Sequence, residues 1–317
     1  MKGKLKFLTL AIFINFILSL KGIIPPGYTN EGYLYIKDSG FVNLPINARA
    51  KGMGEAFVAV AEGYGGGYFN PAGLVQIKQR ELGMMYSDLY GLGLLTHSFL
   101  CFTEPSPHKG AGELSWNHLS ANLEPERWSY DLFCYSYGQF LSKAETPSEE
   151  AFNAWGVNLK YLKQTTDLED ATGYSLDVGF LKREKKFSWG VNLQNALSQI
   201  DWQTGKKESI PLNIKMGTAY KPVPRFLLAL DTNLSLENLP EDISLGGEWC
   251  FSNRIALRLG IVKIFQEESD LSLSGGLGFY LPVQAKTKVT RGIGFDYAFS
   301  YDEVLGNTHH FSLSFEF

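Results

Sequence analysis

Several groups of residues in this 317-residue chain have the types that catalysis or metal binding needs, but their spacing is unsuitable. His309 and His310 are adjacent in an alternating segment, where neighbours point to opposite faces and do not share one metal ion. The run 63–67 is rich in glycine but lacks the Lys-Ser/Thr pair of a phosphate-binding loop. The acidic pairs at 149–150 and 267–268 fall between strand-like segments, and we interpret them as solvated. We therefore predict neither a catalytic site nor a metal site.

Residues that could bind a cofactor or form disulfides also lack suitable spacing. A dinucleotide fingerprint requires glycines between a strand and a helix, whereas here they fall inside a strand pattern, at Gly275, Gly276 and Gly278. The cysteines are an odd set without metal spacing and predict no disulfide framework: Cys101, Cys134 and Cys250. Asp177 and Asp296 fall on the polar face of strands, but no Ser/His/Asp spacing accompanies them. We expect no enzyme and no cofactor.

The composition excludes three further classes of protein. A mean hydropathy of −0.10 with 20% charged residues is too polar for a bundle of membrane helices, each of which needs about 18 apolar residues. With 44% apolar and 14% aromatic residues, the chain is too hydrophobic to be disordered. A net charge of −4 leaves no basic stripe for nucleic acid. The glycine and aromatic content fits a large β-protein.

The N-terminus predicts export. Lys2, Lys4 and Lys6 precede an apolar stretch at 7–20, whose length suits the core of a secretory signal and is too short for a spanning helix. We predict a signal peptide over 1–22, with cleavage near Gly22. An uncleaved anchor is the alternative.

Period-two alternation is the strongest signal in the chain. Residues 187–194 alternate large apolar side chains with Ser, Gly, Asn and Gln, and residues 254–261 alternate Arg, Ala and Gly with Ile and Leu. The segment 311–317 places Phe or Leu at every odd position. Such alternation predicts strands with one apolar face and one polar face.

About fourteen alternating segments follow residue 80, each near the 9–11 residues that cross a bilayer at a tilt. We predict strands at 81–90, 94–103, 111–119, 127–142, 152–163, 172–182, 186–196, 211–221, 225–234, 243–251, 254–262, 270–281, 291–301 and 308–317. Turn-forming residues separate them, which favours an antiparallel up-and-down meander. Periodicity alone does not distinguish a soluble sandwich from a membrane barrel.

Two features favour the barrel. The polar face mixes small residues with opposite charges that can pair across a narrow lumen: Lys160, Asp177, Lys215, Asp231, Glu248, Arg254, Arg258 and Asp296. Trp and Tyr recur near strand ends, as in the aromatic girdles of outer-membrane barrels: Tyr86, Tyr90, Trp116, Trp128, Trp155, Tyr161, Trp202, Trp249 and Tyr280. We therefore predict an all-β fold, a transmembrane antiparallel up-and-down β-barrel of about 14 strands over 81–317, closed by pairing its first strand with its last.

The alternation also predicts which side chains face lipid and which face the lumen. We expect an apolar outer set: Trp189, Val191, Leu193, Leu313 and Phe315. We expect a polar lumenal set: Asn192, Gln194, Arg258 and Glu316.

The segment from Ala48 to Leu74, ARAKGMGEAFVAVAEGYGGGYFNPAGL, resembles the N-terminal signature of the FadL superfamily of outer-membrane barrels, and more closely its PorV/PorQ-like branch. The likeness extends through 156–164, 172–181, 189–195 and 294–317, and so covers nearly all of the chain after the signal. The glycine-rich run 63–67 departs from the family, which usually has an acidic, alanine-containing stretch there.

This resemblance implies that residues 23–80 form a hatch folded inside the barrel, with Arg49 and Glu55 as salt-bridge or lumen contacts. Asn70, Pro71 and Ala72 are expected to make a rigid kink, because proline restricts the preceding residue and asparagine can bond its own backbone. The alternative is that these three residues merely start the first strand.

The resemblance also implies two functions in the bacterial outer membrane. One is a transport barrel for hydrophobic small molecules, with a hydrophobic or detergent-like ligand and outer-membrane lipid as partners. The alternative is a PorV-like accessory of type IX secretion that handles exported proteins together with the secretion system. The sequence predicts no nucleic-acid partner.

Overall fold

The computed structural model describes residues 46–106, 110–123, 126–143, 151–167, 169–235, 241–265, 271–283, 291–302 and 306–317. The predicted signal peptide, 1–22, and residues 23–45 of the predicted hatch lie outside the described residues. In the described part of the chain, the helices fall short of the length and hydrophobicity of a membrane span.

Three short helices precede the strands. They are α1 (Ala48–Gly52), α2 (Gly66–Phe69) and a 3-10 helix (Pro71–Gln76). The Asn47 side chain caps α1 by accepting a hydrogen bond from the Ala50 amide at 2.7 Å. The asparagine before Pro71 caps the 3-10 helix in the same way. The alternative in which this proline motif starts the first strand is not observed, because β1 begins at Glu81.

The described residues then form fourteen long strands and one short strand, close to the predicted segments. The long strands are β1 (Glu81–Leu89), β2 (Leu95–Ser106), β3 (Gly110–Leu123), β4 (Glu126–Lys143), β5 (Ala151–Thr166), β6 (Ala171–Glu184), β7 (Phe187–Trp202), β9 (Asn213–Val223), β10 (Phe226–Ser235), β11 (Asp242–Cys250), β12 (Ile255–Ile264), β13 (Leu271–Val283), β14 (Arg291–Asp302) and β15 (Gly306–Glu316). The two-residue β8 (Lys207–Glu208) pairs with β7.

The long strands close into one antiparallel ring, which confirms the predicted fold. Each pairs with its neighbours in sequence, and β1 pairs with β15 from Glu81↔Glu316 to Asp88↔His309. The pairing of β6 with β7 completes the ring. A closed ring leaves no edge strand, so that every strand can satisfy its backbone polar groups where lipid supplies no hydrogen bonds.

Exposure alternates along the strands and separates the two faces. The outer face is apolar, with Leu259 at 74% exposure and Trp189 and Leu313 at 37% each. The inner face is polar and buried, and includes Asn192, Gln194 and Arg258. Strand alternation places the other predicted members on the same faces: Val191, Leu193 and Phe315 outside, and Glu316 inside.

Three aromatic residues predicted for the outer girdle instead point into the barrel. Trp128 has the same strand parity as the buried Tyr130, and both pack on the apolar core inside the ring. Trp202 also packs there, because the bulge in β7, where Asn195 has a φ of 58°, adds two residues and so leaves even-numbered positions facing inward on both sides of it. The Tyr280 hydroxyl donates a 2.6 Å hydrogen bond to the inward-facing Glu316.

We predict that Leu259→Arg destabilises the barrel far more than Leu92→Arg. Both leucines are highly exposed, at 74% and 70%, but Leu259 lies in the middle of β12 and Leu92 lies in the β1–β2 connection. An arginine on the lipid face costs about 2–4 kcal/mol at the bilayer midplane and about 0–1 kcal/mol near the interface. Guanidinium unfolding in phospholipid vesicles measures both values, and equal losses would show that the lipid face is misassigned.

Candidate functional site

The N-terminal residues 46–79, here called the plug, lie within the ring and are held to its wall. Buried or partly buried side chains from β3, β5, β7, β10, β13 and β15 hydrogen-bond main-chain groups of the plug. These wall residues are Glu113, Asn158, Ser188, Asn192, Asp231, Ser274 and Ser312. The plug has little regular structure of its own, so these side chains take the place of a helix or sheet ladder.

Asp231 of β10 binds two successive amides of the plug with one carboxylate oxygen. Its Oδ2 accepts hydrogen bonds from the amides of Phe57 and Val58, each at 2.7 Å. Gly217 lies opposite on β9, and a Cβ there would come within 2.2 Å of the Asp231 carboxylate. The wall is therefore shaped to let this carboxylate reach the plug.

Asn70 forms the predicted kink and ties it to the wall. Its Oδ1 accepts a hydrogen bond from the Ala72 amide at 3.1 Å. Its Nδ2 donates to the carbonyl oxygens of Val58, within the plug, and Phe180, in β6. One fully buried side chain thus fixes the turn, the neighbouring plug segment and the barrel.

A row of wall glycines makes room for this kink. Gly138, Gly156 and Gly179 lie in register on β4, β5 and β6. A Cβ on Gly156 would lie 2.4 Å from the carbonyl carbon of Pro71, and one on Gly179 would lie 2.3 Å from the Oδ1 of Asn70. Only glycine permits such a close approach of plug backbone to wall.

An ion-pair network connects the plug to three strands. The Arg49 guanidinium binds both carboxylate oxygens of Glu248, with Nε at 2.8 Å and Nη2 at 2.7 Å. Glu248 also accepts a 2.7 Å bond from Arg258, whose Nη1 lies 2.6 Å from Asp296. Four of the predicted residues, on the plug, β11, β12 and β14, therefore form one network. A bidentate arginine is the strongest form of such a contact.

Glu62 extends this network to two further strands, β6 and β9. Its Oε1 lies 2.8 Å from Arg49, and its Oε2 lies 3.7 Å from Lys221 and 3.8 Å from Arg183. Burial alone would raise the pKa of Glu62, but the three cations outweigh it and lower the pKa to about 2. Glu62 is therefore ionised at neutral pH and links the plug to β6 and β9.

The remaining predicted charges lie apart from this network. The Lys160 ammonium is 2.6 Å from Asp177, and it lies 5.7 Å from the ring centroid of Tyr68 in the plug. Lys215 lies inside the barrel, opposite Asn192 on β7 and Asn233 on β10. Glu55 does not reach the wall, because it pairs with Lys51 at 3.2 Å within the plug.

Sequence reasoning missed several residues that hold the plug. Glu113, Asn158 and Ser188 have the inward parity that alternation predicts. Alternation does not indicate, however, which inward polar side chains bind the plug and which only line the lumen. Glu62 and Arg183 gave no usable signal, because their pairing depends on how an irregular segment crosses the lumen. Their contacts follow from tertiary structure alone.

One part of the lumen wall is apolar. Leu119, Tyr130, Leu132 and Leu162 lie on adjacent strands in register and are all buried. They form one cluster with the plug, in which the Phe57 and Phe69 rings are 5.1 Å apart, and Trp128 and Trp202 pack against it. On β9 and β10 the same cluster includes Ala219, Leu227 and Ala229, while the other ends of these two strands are polar, with Asn213, Lys215 and Asn233. The lumen wall therefore combines an apolar cluster with a polar region at one end of β9 and β10.

No grouping of three or more His, Cys, Asp or Glu side chains with metal-binding geometry occurs within the described ranges. His310 points inward to Ser87, with Nδ1 and Oγ 2.7 Å apart, whereas the preceding histidine contacts Tyr297 on the outer face. Cys101, Cys134 and Cys250 are free thiols.

Comparison with known proteins identifies the fold. No protein-family model and no curated protein matches the sequence. Three solved structures are similar: the CymD monoaromatic hydrocarbon channel (12% identity, 85% of this chain and 96% of that chain, TM-score 0.61), a Pseudomonas aeruginosa FadL homologue (12%, 86% and 98%, 0.56) and the Ralstonia pickettii toluene transporter TbuX (11%, 85% and 96%, 0.56). This chain thus has the 14-strand barrel fold of FadL-type proteins of the bacterial outer membrane.

We predict that Gly156→Ala loosens the plug and that Gly275→Ala does not. The added methyl group at Gly156 would overlap the Pro71 carbonyl group, whereas the nearest atom to a Cβ on Gly275 is 3.8 Å away. Overpacking of this kind costs about 1–3 kcal/mol. Single-channel recording in planar bilayers should show more frequent openings for Gly156→Ala alone. Equal opening frequencies in the two variants would contradict the close contact between the kink and the wall.

We also predict that Glu62 makes plug closure dependent on pH. Its pKa is lowered from 4.5 to about 2, so its stabilising contribution is fully present above pH 4.5 and is lost as the pH falls towards 2. Glu62→Gln should weaken plug closure at pH 7, by an amount on the order of 1–2 kcal/mol, and should remove this part of the pH dependence.

Glu55→Gln is the matched control, because the ion pair of Glu55 in the described structure is with Lys51, which also belongs to the plug. The same bilayer recordings at pH 7 and at pH 3 measure both variants. If Glu55→Gln raises the conductance of the barrel as much as Glu62→Gln does, the contacts to Arg183 and Lys221 do not hold the plug.

Proposed function

We propose that this protein is an outer-membrane channel that takes up hydrophobic small molecules, with the plug controlling its lumen. The observation that carries the proposal is the apolar inner wall formed by Leu119, Tyr130, Leu132 and Leu162. A channel for water-soluble solutes is lined by polar side chains, whereas this inner wall carries aliphatic and aromatic ones. An apolar solute, by contrast, gains about 25 cal/mol for each Å² of surface that such a wall removes from water.

The polar groups at one end of β9 and β10 complete this proposed binding region. Asn213 and Asn233 each have a buried carbonyl oxygen without a hydrogen-bond partner among the described residues. Such groups can orient the polar end of a ligand while its apolar part contacts Leu132 and Leu162. The toluene transporter and the monoaromatic hydrocarbon channel that share the fold are named for apolar ligands, which supports this proposal.

The lipid partner follows from the outer face. Large apolar side chains are exposed along the outside of the ring, as in Leu259, Leu245 and Phe133. Exposed apolar area of this extent is not compatible with water and fits the hydrocarbon of a bilayer. The proposal therefore places the protein as an integral barrel and not as a peripheral one.

Uptake into cells that lack their own hydrophobic channels tests the proposed function. Expression of the chain should raise the uptake rate of toluene or of a long-chain fatty acid above that of the empty vector. Leu162→Asn should reduce this rate about five- to tenfold, because a buried leucine contributes more than 1 kcal/mol to an apolar contact. Leu159→Asn is the matched control, since Leu159 lies on the same strand and is exposed on the outer face.

Rates are compared per folded barrel, measured by the change in gel migration on boiling. Uptake of both probes at the vector level would contradict the channel proposal. Equal reductions in the two variants would show that the effect comes from barrel stability and not from the inner wall.

The second candidate is a PorV/PorQ-like accessory of type IX secretion. It is favoured by the resemblance of Ala48 to Leu74 to that branch and by the many bonds that hold the plug in place. A plug anchored by Arg49, Asp231 and Asn70 closes the lumen, which suits a barrel that binds exported proteins at its ends. Co-purification of exported proteins, without uptake of either probe, would favour this candidate.

A further inference from the structure

One end of the barrel carries a concentration of positive charge. The β6–β7, β9–β10 and β11–β12 hairpins turn at this end, beside the final strand residue Glu316. Five cations project from their rims and are here called the basic collar: Lys182, Lys185, Lys186, Arg225 and Arg254. Glu184 is the one acidic residue in segments 182–186, 221–226 and 251–254.

The collar is continuous because hydrogen bonds join its hairpins. Lys186 donates from Nζ to the Pro222 carbonyl oxygen at 2.6 Å, which connects the first hairpin to the second. Arg225 donates from Nη1 to the Phe251 carbonyl oxygen at 3.3 Å, which connects the second to the third. The cations therefore stand side by side along one arc of the rim.

Among the described residues, most of this charge has no acidic partner. Lys182 pairs with Glu184 at 2.8 Å. In the described part of the chain, no carboxylate pairs with the other four cations, all of which are exposed. At the opposite end of the same strands, Lys206 pairs with Glu208 and Lys207 lies 3.5 Å from Asp201. The lysines of this connection are therefore paired, whereas four of the five collar cations are not.

The wall next to the collar is apolar and aromatic. Trp249 and Phe251 are exposed, and their rings are 4.1 Å apart. Val223, the last residue of β9, is 55% exposed beside the collar. Cations at a rim above exposed aromatic rings match the boundary between lipid headgroups and acyl chains.

We propose that the basic collar binds the phosphate headgroup of an anionic phospholipid, with the acyl chains of that lipid against the wall at Trp249 and Phe251. Charge complementarity identifies this occupant, because four unpaired cations attract an anionic headgroup much more than a zwitterionic one. The arrangement would favour one insertion direction, since the opposite end offers acidic groups. The proposal requires only that the barrel spans a membrane and does not depend on what passes through it.

Lipid retention tests the proposal. The full-length barrel is reconstituted in vesicles of equal parts phosphatidylcholine and phosphatidylglycerol and extracted in mild detergent, and the retained lipids are counted by native mass spectrometry. The wild type should retain phosphatidylglycerol over phosphatidylcholine at least about threefold. A variant that combines Lys185→Gln, Lys186→Gln, Arg225→Gln and Arg254→Gln should lower this ratio to about one.

Lys206→Gln with Lys207→Gln is the matched control at the other end and should keep the wild-type ratio. The wild-type preference should also fall in about 0.5 M salt, because headgroup attraction is screened. Equal retention of the two lipids by the wild type, or a preference that salt leaves unchanged, would overturn the proposal. If the fourfold variant does not fold, the salt response and the single variant Arg225→Gln test the proposal instead. Arg225→Gln should then lower the retention ratio below the wild-type value, and an unchanged ratio would overturn the proposal.

Discussion

The structure depends on one constraint, which is that the backbone polar groups of the plug must be satisfied inside the barrel. The strands satisfy their own groups by closing into a ring, but residues 46–79 are mostly irregular and have no ladder. Wall side chains supply the missing partners, as Asp231 does for two successive amides and Asn192 for the carbonyl oxygen of Phe69. A buried backbone group without a partner costs about 1–3 kcal/mol, so each such side chain matters for closure.

This constraint explains why the polar face of the barrel is composed as it is. Asparagine, serine and aspartate are short, and they reach a nearby main chain without filling the space that the chain occupies. Where the plug comes closest, even these are too large, and glycine takes their place at positions such as Gly156 and Gly179. The inner wall therefore has the shape of the plug, with contacts and clearances at defined strand positions.

The sequence predicts the barrel well because period-two alternation is local. Strand positions, the closure of β1 on β15 and the outward set around Trp189 all follow from it. Trp202 is misassigned because it lies near a strand end, whereas its even position shares the inward parity of Gln194 on the other side of the bulge at Asn195. The plug is harder to predict, because its contacts join residues far apart in sequence. Arg49 and Glu248 are separated by 199 positions, and no local pattern marks them as partners.

The distribution of charge separates closure from recognition. Ion pairs at Glu248 and Glu62 are enclosed by the wall and the plug, so each cation there has an acidic partner and the group serves to hold the plug. At the rim, Arg225 and Arg254 have exposed side chains and no such partner among the described residues. Charges inside the barrel are largely withdrawn from solvent, so a charge left there without a partner would be costly. Charges at the rim are free of that requirement, and their sign can therefore be set by the membrane surface.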